Sequence, residues 1–241
     1  MIYHQNIREI FYEEMDSCDH FQDEICYKMN CVCGREITRE WLNDNITNLS
    51  KKHSFHPITI YLQRDIIPFG TLCSVDIKSV KAKLSKEIRS LRIPGLRCIL
   101  HLDIQQTDYI RQRTYRESDW HIHWHGAACA DAMSPTSRKK IYKFFNHGID
   151  SHACQIAELP EKNFDFSYPV KFLHDHKRRL RDGVHGQIER KHEIKGRYKK
   201  ELEAFYTQWD IEDCLLLIGF RRNRCCIIPA NGKIYQNHNS A

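Results

Sequence analysis

The clearest pattern in the chain is strict alternation of apolar and polar positions in two nearby stretches. In Cys98-Ile99-Leu100-His101-Leu102-Asp103-Ile104-Gln105, Leu100, Leu102 and Ile104 share one face and His101, Asp103 and Gln105 the other. In Trp120-His121-Ile122-His123-Trp124-His125-Gly126 the three histidines face one way while Ile122 and Trp124 face the other. Both stretches predict strands, and the polar linker between them predicts an antiparallel hairpin that brings the two polar faces together. Upstream, the β-branched run 58–62 predicts a further strand after Pro57. Between these strands, Ile77, Val80, Leu84, Ile88 and Leu91 recur at helical spacing until Pro94-Gly95 stops them.

The flanks are predominantly helical in pattern. Helices are expected over 7–15 and over 38–49, the second with Thr38 as N-cap and Trp41, Leu42, Ile46 and Leu49 on one face. Ser134-Pro135 marks another helix start, closing near Gly148, and 152–159 reads as a strand. Two charged helices are expected over 164–180 and 187–209, the first opening on Tyr168-Pro169 and the second broken at Gly196. The apolar segment 214–220 must be buried, and Asn231-Gly232 predicts a hairpin between 225–228 and 233–235. The expected fold class is α+β: an antiparallel sheet with helices on its faces and an N-terminal helical cap. Three regions are expected: a Cys-rich helical extension over 1–54, a central domain over 55–205, and an apolar segment with hairpin over 206–241.

Composition narrows the function. At 241 residues and 41 % hydrophobic the chain can bury a real core. It has no apolar run of about 18 residues and no signal-peptide pattern, so a soluble protein of the cell interior, with no membrane partner, is expected. Eleven cysteines scattered along the chain fit buried thiols better than a disulfide framework. Cys18, His20, Cys26, Cys31 and Cys33 offer a candidate structural Zn²⁺ site, although their spacing matches no paired knuckle. The net charge of +6 is concentrated: residues 138–200 hold 16 Lys and Arg against eight Asp and Glu. Such a segment suits a polyanionic partner, with a solvated helical surface as the alternative. A P-loop pattern is absent.

The histidine strand carries the candidate chemistry. Alternating imidazoles can converge on one ion when a neighbouring strand completes the shell, and Asp103 or His101 lies within cross-strand reach of His121 and His123. On these residues the chain resembles the HUH endonucleases, specifically the rolling-circle replication initiators of plasmids, phages and single-stranded DNA viruses. The resemblance covers about residues 57–180. Ile58-Thr59-Ile60-Tyr61 resembles the family's first motif, His121-Ile122-His123 its His-hydrophobic-His motif, and Tyr168-Pro169-Val170-Lys171, 45 positions beyond His123, its Tyr-x-x-Lys motif.

The resemblance implies a sheet of about five antiparallel strands and a site-specific, single-tyrosine DNA nicking and joining enzyme. It implies Tyr168 as nucleophile, Lys171 as phosphate contact or phenolate support, and Mg²⁺ or Mn²⁺ held by His121 and His123. Asp103 is the best match for the third ligand, with His101, Gln105 and His125 as alternatives. Single-stranded origin DNA is the implied substrate, and a separate helicase and host polymerase are the implied partners. The implied compartment is the cytoplasm of a bacterial or archaeal host, or the nucleus for a eukaryotic virus. An HUH transposase or relaxase-like enzyme would share this chemistry. The run of three histidines also resembles the motif of histidine-triad nucleotide hydrolases and transferases, with His123 as nucleophile and no metal. A non-enzymatic zinc and nucleic-acid binding protein is the third alternative.

Overall fold

The computed structural model describes residues 31–110, 119–129, 133–146, 154–157, 175–182, 186–223 and 226–230. In chain order the elements are α1 (Val32–Ser50), β1 (Phe55–Pro68), a 3₁₀ turn (Leu72–Ser74), α2 (Ile77–Ser90), β2 (Cys98–Ile110), β3 (Asp119–Cys129) and α3 (Pro135–Phe145). There follow β4 (Cys154–Ile156), β5 (Asp175–Asp182), β6 (Gly186–Glu193), α4 (Gly196–Tyr206), β7 (Leu215–Ile218), β8 (Phe220–Asn223) and β9 (Cys226–Pro229). The fold is α+β.

The sheet has an antiparallel heart in the order β4-β1-β3-β2, with β7 antiparallel to the far side of β2. Beyond β7 on that same edge, β5 pairs parallel with the last residues of β2 and carries β6 as an antiparallel partner, making seven strands in all. The hairpin expected between the two alternating stretches is the β2–β3 pair, with Asp103 opposite His123.

Alternation sorts the two faces. Ile58, Ile60, Leu100, Leu102, Ile104, Trp120, Ile122 and Trp124 enter one core with Ile77, Leu84 and Ile88 of α2, Ile141 and Phe145 of α3, and Leu202 and Phe205 of α4. Each helix begins or packs for local reasons. The Asp76 side chain accepts from Lys78 N at the start of α2, and the Ser134 side chain accepts from Ser137 N at the start of α3, with Pro135 at the first position. On the opposite face Leu42 and Ile46 of α1 pack with Phe55, Ile99, Ala127, Leu215, Phe220 and Ile227. Asn45 ties this layer together: its Oδ1 accepts from Ile227 N (2.6 Å) and its Nδ2 donates to Trp41 O (2.7 Å).

At Gly126 the neighbouring strand leaves no space for a side chain, since a Cβ there would collide with Ile99 O. β1 is irregular at its middle. Tyr61 pairs with His123 and Ile66 with His121, so four residues of β1 span one of β3 in a bulge.

Several sequence expectations need correction. α1 begins at Val32, so Thr38 is not its N-cap but an interior residue whose hydroxyl donates to Gly34 O (2.6 Å). Cys31 caps that helix and Cys33 lies inside it, while Cys18, His20, Cys26 and the helix expected over 7–15 lie outside the described residues. The charged runs read as helices over 164–180 and 187–209 contain strands β5 and β6, and among their described residues only 196–206 is helical. Pairing with the free end of β2 overrides the weak strand propensity of those residues. Among the described residues β9 pairs antiparallel with β8, the strand before it. The expected partner strand over 233–235 lies outside the described residues. No helix among the described residues is long and apolar enough to cross a membrane. No disulfide joins the described cysteines, and burial pushes the Cys154 thiol up to about 12.

Candidate metal centre

The face of the sheet opposite the main core changes character along its length. At one end Phe55, Ile99, Ala127 and Cys129 are apolar. Further along the same strands the corresponding positions are Thr59 and Tyr61 on β1, His125, His123 and His121 on β3, and His101, Asp103 and Gln105 on β2. His101, Asp103, Gln105, His121 and His123 are all buried. Buried polar groups in such number need partners or a ligand.

Three of these side chains converge. One ligand atom each from Asp103, His123 and His125 lies within 4.8 Å of the other two. Their register explains the convergence, because Asp103 is directly opposite His123 while His125 is its diagonal neighbour on the same face. His125 Nε2 is 3.3 Å from Asp103 Oδ2. The other ring nitrogen, Nδ1, is 2.9 Å from the Thr59 hydroxyl. A neutral ring that donates from Nδ1 to that oxygen presents the Nε2 lone pair toward Asp103, the arrangement a metal-bound imidazole adopts.

Tyr61 packs on His123 with ring centroids 3.8 Å apart, and the His123 and His125 rings lie edge to face at 5.6 Å. Tyr61 thereby covers one side of the group, while the His125 side chain keeps 13 % of its surface exposed as a way in. Two imidazole nitrogens and a carboxylate oxygen form a donor set for a divalent ion, and adjacent ligands at ordinary metal–ligand distances lie about 3–4 Å apart. The residues fit such an ion. Three protein ligands leave positions for an oxygen of substrate or water.

No protein-family model, no curated protein and no solved structure matches this chain.

The sequence-predicted residues fall into three groups. Asp103 and His123 are brought together, and His125, one of the alternatives for the third ligand, joins them. His121, expected as a ligand, is outside this group and sits opposite Gln105, while His101 sits opposite His125. Tyr168 and Lys171 lie outside the described residues. The His-hydrophobic-His pair nearest Asp103 is therefore His123-Trp124-His125 rather than His121-Ile122-His123. Alternation and register both leave this choice open, since His121 and His125 flank the Asp103–His123 pair symmetrically on one face, and the side-chain conformations bring His125 to Asp103.

Two contributors were missed. The contact of Thr59 with His125 and the stacking of Tyr61 on His123 both follow from β1 lying antiparallel beside β3, with Thr59 opposite His125 and Tyr61 opposite His123. The signal was the alternation of Thr59 and Tyr61 with Ile58 and Ile60, which matches that of the histidine strand. Tyr206, at the end of α4, is buried in the main core beside β2. Burial first, and then the charge of Asp103, hold its hydroxyl well above the usual phenol range.

Proposed function

We propose that the chain is a divalent-metal-dependent endonuclease that nicks and rejoins single-stranded DNA through a tyrosine, as do the rolling-circle initiators its sequence resembles. The observation that carries this reading is the buried group of Asp103, His123 and His125 on the two central strands of an antiparallel sheet. An ion bound there supplies Lewis-acid polarisation of a phosphodiester and neutralises charge developing on its oxygens. Imidazole donors favour Mn²⁺ over Mg²⁺ in such a set.

The chain's own groups supply the rest. Thr59 orients the His125 ring, and Tyr61 excludes water from one side of His123. In this reading the Tyr168 oxygen attacks phosphorus in line and loses its proton. The bond to the 3′ oxygen breaks, leaving a 5′-phosphotyrosine and a free 3′-hydroxyl. Lys171, one helical turn on if 168–171 is helical, would pair with the phosphate.

A basic edge supports a polyanionic substrate. The β5–β6 register sets Lys177 opposite Lys191 and Arg178 opposite Arg190. This run of basic residues on two paired strands suits a phosphate backbone. Replication from the released 3′-hydroxyl would draw on a separate helicase and a host polymerase, in the host cytoplasm or, for a eukaryotic virus, the nucleus.

The test is incubation with labelled single-stranded DNA carrying a candidate origin and Mn²⁺, read on a denaturing protein gel. Wild type should acquire label and Tyr168→Phe should not. Label that persists in the variant moves the nucleophile to another tyrosine. No label on any substrate, together with phosphoramidate hydrolysis that His123→Ala abolishes, would replace this reading with the histidine-triad one.

A further inference from the structure

Beyond the three converging side chains the polar row continues by one cross-strand pair, Gln105 opposite His121. Gln105 is 4 % exposed, and its Nε2 is buried and meets no acceptor among the described residues. An amide with two N–H donors is seldom buried in a sheet face without an acceptor. The same residue follows Asp103 by two positions, so both lie on one face of β2 about 7 Å apart. His121, also buried, is displaced in the same direction from His123. On the far side of His121 lies the β1 bulge, where four residues of β1 span a single residue of β3 between the Tyr61 and Ile66 pairings. Bulges interrupt strand pairing and are over-represented beside functional sites.

We propose that Gln105 and His121 form an oxyanion subsite that binds a phosphoryl oxygen of the substrate next to the Asp103, His123 and His125 centre. The inference rests on the metal reading of that centre and assigns His121 to substrate rather than to the ion. A neutral amide is suited to the position. It donates to a phosphate oxygen without adding a positive charge beside the cation, and it offers the ion only a weakly basic oxygen. The imidazole N–H of His121 adds a second donor from the opposite strand. Together the two would fix which phosphoryl oxygen remains turned away from the ion, and so orient the phosphorus.

The experiment separates ion from anion. Mn²⁺ affinity is measured by paramagnetic resonance titration for wild type, Gln105→Leu, His121→Phe and Asp103→Asn. Inorganic phosphate is then titrated into each Mn²⁺-loaded protein by calorimetry. Wild type should bind both. Gln105→Leu and His121→Phe should keep Mn²⁺ affinity within about twofold and lose phosphate affinity about tenfold or more, whereas Asp103→Asn should lose the ion.

A measurement on the unaltered protein guards against variants that fail to fold. In wild type labelled with ¹⁵N at glutamine side chains and loaded with diamagnetic Zn²⁺, the Gln105 NH₂ resonances, assigned by their loss in Gln105→Leu or by sequential connectivity, should shift on phosphate addition. Unchanged phosphate affinity in both variants, or an unmoved Gln105 amide at saturating phosphate, overturns the subsite. So does loss of Mn²⁺ in Gln105→Leu or His121→Phe to the extent seen in Asp103→Asn, which would make that residue a ligand. If wild type binds no divalent ion, the metal reading falls and this inference with it. If it binds the ion but not phosphate, only this inference falls.

Discussion

Where Phe55, Ile99 and Ala127 lie on three neighbouring strands, α1 and the β8–β9 hairpin close over them with Leu42, Ile46, Phe220 and Ile227. Further along the same strands and on the same face stand Thr59, His101 and His125, then Tyr61, Asp103 and His123. Both ends are withdrawn from water, yet their chemistry is opposite. Apolar burial at the first end stabilises the fold by roughly 25 cal/mol per Å² removed from water. Burial of imidazoles and a carboxylate at the second end costs free energy unless something satisfies them. The first end therefore belongs to folding, and the second brings together side chains that could hold a metal ion.

The largest effects should separate the two ends. Ile46 is 1 % exposed within the apolar layer. Ile46→Ala should lower the unfolding free energy by about 2–5 kcal/mol, measured by urea titration, while leaving Mn²⁺ affinity of the folded protein within about twofold. A variant that lost ion binding without losing stability would show that the ends are not separable in this way.

The reciprocal change is His123→Ala. It should reduce Mn²⁺ affinity by at least about 100-fold, since even groups that only support a ligand are worth 10–100-fold. Ion binding to wild type should raise stability by about 2.7 kcal/mol when the ion is present at 100 times its Kd. That increment should vanish in the variant, whereas stability without the ion should change little or rise. A large loss of metal-free stability in His123→Ala would place His123 with the structural end.

How much of this was legible depends on which physical signal each part carries. The β2–β3 hairpin, α2 and α3 could be read because alternation, helical spacing, and the Ser134-Pro135 start are local. Asp103 and His123 could be read for the same reason: two alternating polar faces joined by one linker must meet. The choice between His121 and His125 could not, because both are diagonal neighbours of Asp103 across the strand pair, and the side-chain conformations that bring His125 to it are not written in alternation or register. Strands β5 and β6 were misread as helix because their residues are long, charged and poor in β-branching; the edge of β2 decides their state. The break between the two runs, after 180 and before 187, lies close to where β5 ends at Asp182 and β6 begins at Gly186, while the period on either side of it was read wrongly.

The finest test of the comparison lies at Thr59, the position on β1 where the face passes from apolar to polar. Its hydroxyl is 2.9 Å from His125 Nδ1, a hydrogen bond that links it to the proposed centre through that ring. Thr59→Val keeps the shape and β-branching of the side chain and removes the hydrogen bond. If the hydroxyl fixes the tautomer and orientation of His125, Mn²⁺ affinity should fall by about tenfold, with a stability change in the ion-free protein of about 1 kcal/mol or less. Thr59→Ser, which restores the oxygen and gives up the methyl, should recover most of the affinity. Equal affinity in Val and Ser variants, both below wild type, would mean that Thr59 acts by packing and that the polar end begins one residue pair further along.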